Sequence, residues 1–257
     1  MARTDLWTRE ETILAFNLYF KIPYGTIHGG NPKVRELAEL IGRSKGSVGR
    51  KMQNLASFDP VQQARGIKGL SHASKLDVEI FNEFVSNWAE LAYESEKILA
   101  EKHHIPLEEK VEIDEYEWQN RSGKDVVRSV KTRVGQNFFR STVLNNFDSK
   151  CAISGINIPE MLRASHIVPW SKDERARVNP ENGLCLSSLY DDAFDRGFIG
   201  VSTDYKVILA EKLKRRSKEP YFQEHFGKID NIAIRQPSKF FPRKEFLEYH
   251  LDQIFDK

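Results

Sequence analysis

Hydrophobic positions in the first sixty residues recur with a helical period. In "LWTREETILAFNLYFKI" Ile13, Leu14, Phe16, Leu18 and Tyr19 fall near helical spacing. Thr8, followed three residues later by Glu11, makes the reciprocal cap that opens a helix. The pattern predicts one amphipathic helix. A second begins at Pro32, whose fixed φ suits a first helical turn, with Val34, Leu37, Ala38 and Ile41 on one face. Gly42 breaks it, and a third helix is predicted from about Ser44 to Ala56 with Val48, Met52 and Leu55 turned inward.

Two helices joined by a short turn, the second basic on its outer side, form a helix-turn-helix pattern. On that reading Arg43, Lys45, Ser47, Arg50, Lys51 and Asn54 are the DNA-contacting set, residue types that reach phosphates and base edges. Helical bundles with no nucleic-acid role show the same pattern, since any surface helix is charged.

Further along, "VGQNFFRSTVLNNF" predicts a helix packed through Phe138, Val143, Leu144 and Phe147. After the turn "NNFDSK" come the short segments "CAISGI" and "LRASHIVPW", the loop "SKDERARVNPENG", and the apolar strand "LCLS". A helix then starts near Ser188 and stops at Gly197. The order is strand, long loop, strand, helix. "FFPRKEFLEYHLDQIF" closes the chain as a proline-started amphipathic helix expected to pack on this core.

Charge divides the chain. Glu90 to Asn120 carries ten acidic residues against three lysines. Asn31 to Asn54 holds six basic residues and two acids, and Arg121 to Lys150 seven and two. The expected organisation is a helical domain over 1–89, an acidic connector over 90–120 and a second domain over 121–257. The total of +2 hides this, and local fields decide what each surface attracts. No internal repeat is visible. Two cysteines, Cys151 and Cys185, cannot build a disulfide framework, and "CAIS" lacks the second thiolate of a zinc knuckle. The early acids of "MARTDLWTREE" and the short apolar runs point to a cytoplasmic chain with no membrane segment.

His166, Asn182 sixteen residues on, and Asp191 nine further lie at strand end, strand start and helix. With "ASHIVPW", "NPENGLCLS" and "DDAFDRGFI" this order resembles the HNH nuclease family, whose ββα-metal site it matches from about Arg133 to about Ala210. The resemblance implies an α+β chain, the helical helix-turn-helix-like domain preceding a ββα-metal nuclease domain. It implies His166, Asn182 and Asp191 as catalytic positions, and Asp191, Asp195 and Ser165 as metal positions for Mg²⁺ or Mn²⁺. The third position, often histidine, is aspartate here, an oxygen donor that suits those ions. The residue before the histidine, commonly Asp or His in the family, is Ser165.

Chemistry alone supports the same roles. Phosphodiester hydrolysis needs an activated water, a positive centre against transition-state charge, and help for the leaving oxygen. An imidazole accepts a proton near neutral pH, which makes His166 the general base. The Asn182 amide would orient the loop and ring. Asp191 would hold the metal, and Asp195, at i+4, is either a second ligand or an anchor for Arg196. Pro169 and Trp170 are assigned to packing and loop direction. His103 and His104 point apart on a helix, and His225 and His250 have no evident partner. The run Lys206 to Glu219, six basic residues against two acids, reads equally as a phosphate contact and as a solvated face.

The family implies a bacterial restriction-type endonuclease acting on DNA, with dependence on modified bases as a variant and a second copy of the chain as a candidate partner. The competing readings are a non-catalytic DNA-binding protein with a decayed ββα site, for which Ser165 is the signal, and an RNA-directed nuclease.

Overall fold

The first helix, α1 (Arg9–Lys21), starts on its predicted cap: Glu11 N donates to Thr8 Oγ1 at 3.2 Å and Thr8 N donates to Glu11 Oε2 at 3.0 Å. It is a central helix, not an amphipathic surface one. Glu11 through Asn17, with Tyr19 and Phe20, are all buried. Ala15 and Phe20 extend the apolar surface around the helix, and a helix apolar on most sides belongs in a core.

The computed structural model describes residues 6–64, 66, 73–111 and 123–256. The chain divides into two compact units, Met1–Phe138 and Phe139–Lys257. In the first, α1 is packed by α2 (Pro32–Leu40), α3 (Lys45–Ala56), α5 (Lys75–Phe84) and α6 (Trp88–His103). The short α4 (Pro60–Ala64) and α7 (Leu107–Lys110) complete the described helices before residue 112. Gly42, at φ +67°, turns the chain between α2 and α3, and Ser44 caps α3 by accepting from Ser47 N at 3.1 Å.

The acidic stretch from residue 90, expected as a connector, runs in its first half through α6, which is part of this helical unit. Leu91, Ala92, Ser95 and Ile98 form a buried stripe among the acids, and Asn17 Nδ2 donates to Ser95 Oγ at 2.7 Å. Glu96 ties two lysines, Lys21 at 2.9 Å and Lys110. Sign of charge had masked an apolar period. Most of the remainder of that stretch, 112–120, lies outside the described residues.

The long helix α8 (Gly123–Asn146) crosses the division between Phe138 and Phe139. The second unit adds β1 (Leu162–His166) and β2 (Gly183–Ser187), then α9 (Ser188–Asp195), β3 (Ile199–Val201), β4 (Val207–Leu209), α10 (Glu211–Lys214), α11 (Pro220–His225) and α12 (Lys244–Gln253). The chain is therefore α+β. β1 and β2 are antiparallel, with Ser165 opposite Leu184 and His166 opposite Gly183; β3 and β4 form a separate two-stranded ribbon. All five β2 residues are buried, because α9 packs on the β1–β2 pair while Val143 and Phe139 of α8 crowd Gly183. A Cβ on Gly183 would sit 2.4 Å from Val143 Cγ2 and 3.0 Å from Phe139 Cζ, so only glycine admits that approach.

After α9 the chain turns at Gly197, φ +70°, the predicted helix stop. Ile254 O lies 2.1 Å from where a Cβ would be, and Asp256 N donates to Gly197 O at 3.1 Å. The end of the C-terminal helix thus locks the end of α9. Among the described residues no helix is long and apolar enough to cross a membrane.

Candidate active site

His166 ends β1, and its ring lies flat on Phe139, centroids 3.9 Å apart and planes 8° from parallel. Trp170 meets its edge at 5.6 Å and 85°. His166 Nε2 is 2.9 Å from the Arg177 carbonyl oxygen. A carbonyl only accepts, so Nε2 carries the proton and Nδ1 of the neutral ring keeps its lone pair. Burial holds the ring's pKa below the usual histidine value, partly offset by the Arg177 carbonyl. A neutral, oriented base results.

The loop between the strands supplies that carbonyl, and Asn182 shapes the loop. Fully buried, Asn182 accepts from Val168 N at 2.8 Å through Oδ1 and donates through Nδ2 to Val168 O at 3.0 Å and Ala176 O at 3.1 Å. Its own carbonyl accepts from Ile167 N at 2.9 Å. One side chain therefore satisfies both edges of a buried loop whose polar groups could not otherwise be left unpaired. Arg177 reinforces it, donating from Nε to Trp170 O at 2.8 Å and lying 5.4 Å from the Trp170 ring centroid.

Asp191 stands in the first turn of α9 and Asp195 one turn on, on the same face. Burial raises the Asp191 pKa, against the lowering influence of Ser165 and of the Arg163 charge; Asp192 adds to the rise. Asp195, more open to solvent, is pushed up to about 6 by partial burial and by the charges of Asp191 and Asp192. Ser165 Oγ is buried without a conventional hydrogen-bond partner and faces Asp191. Its hydroxyl is turned to the Asp191 carboxylate, whose pKa it lowers.

Among the described residues no three His, Cys, Asp or Glu side chains gather into a ready cage. The donors present are nevertheless two carboxylates on one face, the charge of Asp191 helping to raise the Asp195 pKa. That all-oxygen set fits a hard divalent cation that keeps several waters. Asp191 and Asp195 are the residues that would hold it.

The helix-turn-helix set divides. Lys45 and Arg50 are exposed and Ser47 and Asn54 half-buried, but Arg43 and Lys51 are buried, contrary to the expectation that they face outward. Arg43 donates to Glu11 Oε2 from Nε at 3.0 Å and Nη2 at 2.8 Å, and to Leu6 O at 2.8 Å. Lys51 pairs with Asp77. Both cations lie over the Trp7 ring, at 4.6 and 4.9 Å from its centroid. Their partners come from elsewhere in the chain, which helical spacing cannot reveal.

Residues 151–202, from the turn before β1 to just past β3, match the HNH endonuclease family. The ββα segment is thus of the HNH endonuclease class, a nuclease-type domain in the second unit. No curated protein matches the chain.

Four contributors escaped the sequence reading: Phe139, Gly183, Arg163 and the Arg177 carbonyl. Phe139 had a signal in its i+4 spacing to Val143, though adjacent Phe138 obscures it. A backbone acceptor leaves none.

Proposed function

We propose that the chain is a metal-dependent HNH endonuclease that hydrolyses DNA phosphodiester bonds, of restriction type. The observation that carries this reading is the fixed tautomer of His166, its Nε2 committed to the Arg177 carbonyl and its Nδ1 left to take a proton, on the strand residue next to Ser165 and its neighbour Asp191.

In this reading water aligned on the phosphorus loses its proton to His166 Nδ1. Phe139 and Trp170 keep the ring from turning, and Asn182 keeps the loop, and so the Arg177 carbonyl, in place. A divalent ion at Asp191 and Asp195 would supply charge neutralisation for the phosphorane-like transition state and the departing 3′ oxygen. Ser165 sets the Asp191 carboxyl. The exposed Lys45 and Arg50, with the half-buried Ser47 and Asn54, remain as the DNA-contacting set of the first unit.

His166→Ala is expected to reduce cleavage of plasmid DNA in Mg²⁺ or Mn²⁺ by about 10² to 10⁴, with DNA affinity by gel shift unchanged. Cutting at the unsubstituted rate would remove His166 from the base role. RNA cleaved in preference to plasmid would replace DNA as the substrate.

A further inference from the structure

The basic run from Lys206 to Glu219 separates into two sets in the fold. Lys212 is paired with Asp256 at 2.7 Å and lies 4.3 Å from the Phe198 ring centroid; Lys214 is paired with Glu211 at 3.4 Å and Asp230 at 3.8 Å. Arg215, Arg216 and Lys218 are exposed and have no carboxylate within 4.0 Å among the described residues. Arg216 borders a groove of about 340 Å³ on the flank of α9. Its floor is apolar, from Leu189, Phe198, Tyr221 and Phe226. Two of these are large hydrophobics left open to solvent, Leu189 at 45% and Tyr221 at 39%. Arg196 completes the rim, held only loosely by Asp192 at 3.7 Å, both side chains mostly in water.

Leu189, Asp192, Ala193 and Arg196 recur at i, i+3, i+4 and i+7, so they line one flank of α9, while Asp191 and Asp195 occupy another. A single helix, about 10 Å across, separates the carboxylates from the groove. An apolar segment of another protein laid there would strip water from Arg196 and Arg216 and offer no charge in return. A nucleotide matches both features: a flat base for the aromatic floor and a phosphate for the guanidinium rim. Base stacking on aromatics combined with a cationic edge is how unpaired strands are held. Duplex bases cannot present their faces.

We infer that this groove binds an unpaired nucleotide of the substrate strand, with its base against Tyr221 and Phe198 and its phosphate on Arg216. The inference rests on the nuclease reading and adds that one nucleotide beside the cleavage site is unpaired when the DNA is bound.

The test uses the full chain in EDTA, so that binding is read without cleavage. Fluorescence anisotropy would compare a labelled 15-nucleotide thymidine oligomer with one whose central residues are abasic. Tyr221→Ala is expected to weaken binding of the thymidine oligomer roughly 5- to 150-fold, the range for loss of one stacked base, and to leave the abasic oligomer and the melting midpoint unchanged. Arg216→Gln should lower the log–log salt slope by about 0.7. An oligomer carrying 5-iododeoxyuridine should photocrosslink to residues 189–226. The groove reading is overturned if Tyr221→Ala binds both oligomers like the parent and no crosslink maps to that segment. It is equally overturned if the parent sediments as a dimer that Tyr221→Ala dissociates with oligomer affinity intact. Neither result touches plasmid cleavage by the parent chain in Mg²⁺ or Mn²⁺, whose absence alone would remove the nuclease reading.

Discussion

The two units treat carboxylates in opposite ways. In the first, Glu11 and Asp77 are buried and each meets a buried cation, Arg43 and Lys51, with Trp7 beneath both cations. In the second, Asp191 and Asp195 share one face of α9; Asp191 and Asp192 raise the Asp195 pKa, and burial raises that of Asp191 against the lowering charge of Arg163. Four residues apart on a helix, like charges cost stability. The proposed cation would relieve this clash, whereas the buried carboxylates of the first unit already have their cations. Charge pairs in the first unit are structure, which is why Arg43 and Lys51 are unsuited to DNA contact despite their position in the motif.

The histidines of the second unit extend the contrast. His166 and His250 are built alike: each stacks on a phenylalanine, Phe139 at 3.9 Å and Phe194 at 3.7 Å, and each has Nε2 on a backbone carbonyl, of Arg177 and Phe194. His250 Nδ1, however, is buried without a partner, and burial takes its pKa down to about 4. His250 holds the end of α9 from behind and is sealed from substrate.

The largest effect that could break the comparison is at Lys51. Lys51→Met leaves Asp77 buried without its cation and is expected to cost about 3–5 kcal/mol in urea unfolding. Arg50→Met, one residue away and exposed, should stay within about 0.5 kcal/mol. Equal losses would mean that the buried pair carries no special weight.

Next comes pH. The folded His250 value, about 4, lies below the ordinary value of about 6.5. Between the two the unfolded chain binds a proton that the folded chain refuses. The second unit therefore loses about 3 kcal/mol as pH falls from about 6.5 toward about 4, and holds that stability in full above about 6.5. His250→Asn should flatten this slope in urea titrations at several pH values. An unchanged slope would refute the sealed-histidine account.

The smallest effect has the opposite sign. Asp195→Asn removes one of the confronting charges and should stabilise the protein by a few tenths of a kcal/mol in EDTA. The gain appears above about pH 6, where Asp195 ionises, and fades below it. The same variant should need more Mg²⁺ or Mn²⁺ for cleavage. A variant less stable than its parent in EDTA, with an unchanged metal titration, would show that Asp195 anchors the helix.

Much of this architecture is local and hence readable from the sequence. The Thr8–Glu11 cap, the turn at Gly42, the α3 start at Ser44 and the stop at Gly197 depend on residues within a few positions of one another, and the helices stand where those signals put them. The order of strand, loop, strand and helix around His166, Asn182 and Asp191 is likewise a property of the chain. Only the tertiary structure decided what those residues touch. Helical period gives the direction of a side chain but not what arrives opposite it. Arg43 meets Glu11 across 32 residues and Lys51 meets Asp77 across 26, so two predicted DNA contacts became core. The tautomer of His166 depends on the Arg177 backbone oxygen, and the ring's orientation on Phe139, which reaches it because Gly183 has no side chain. Contacts made by backbone atoms, and by the absence of atoms, leave no mark in a sequence until the chain has closed around them.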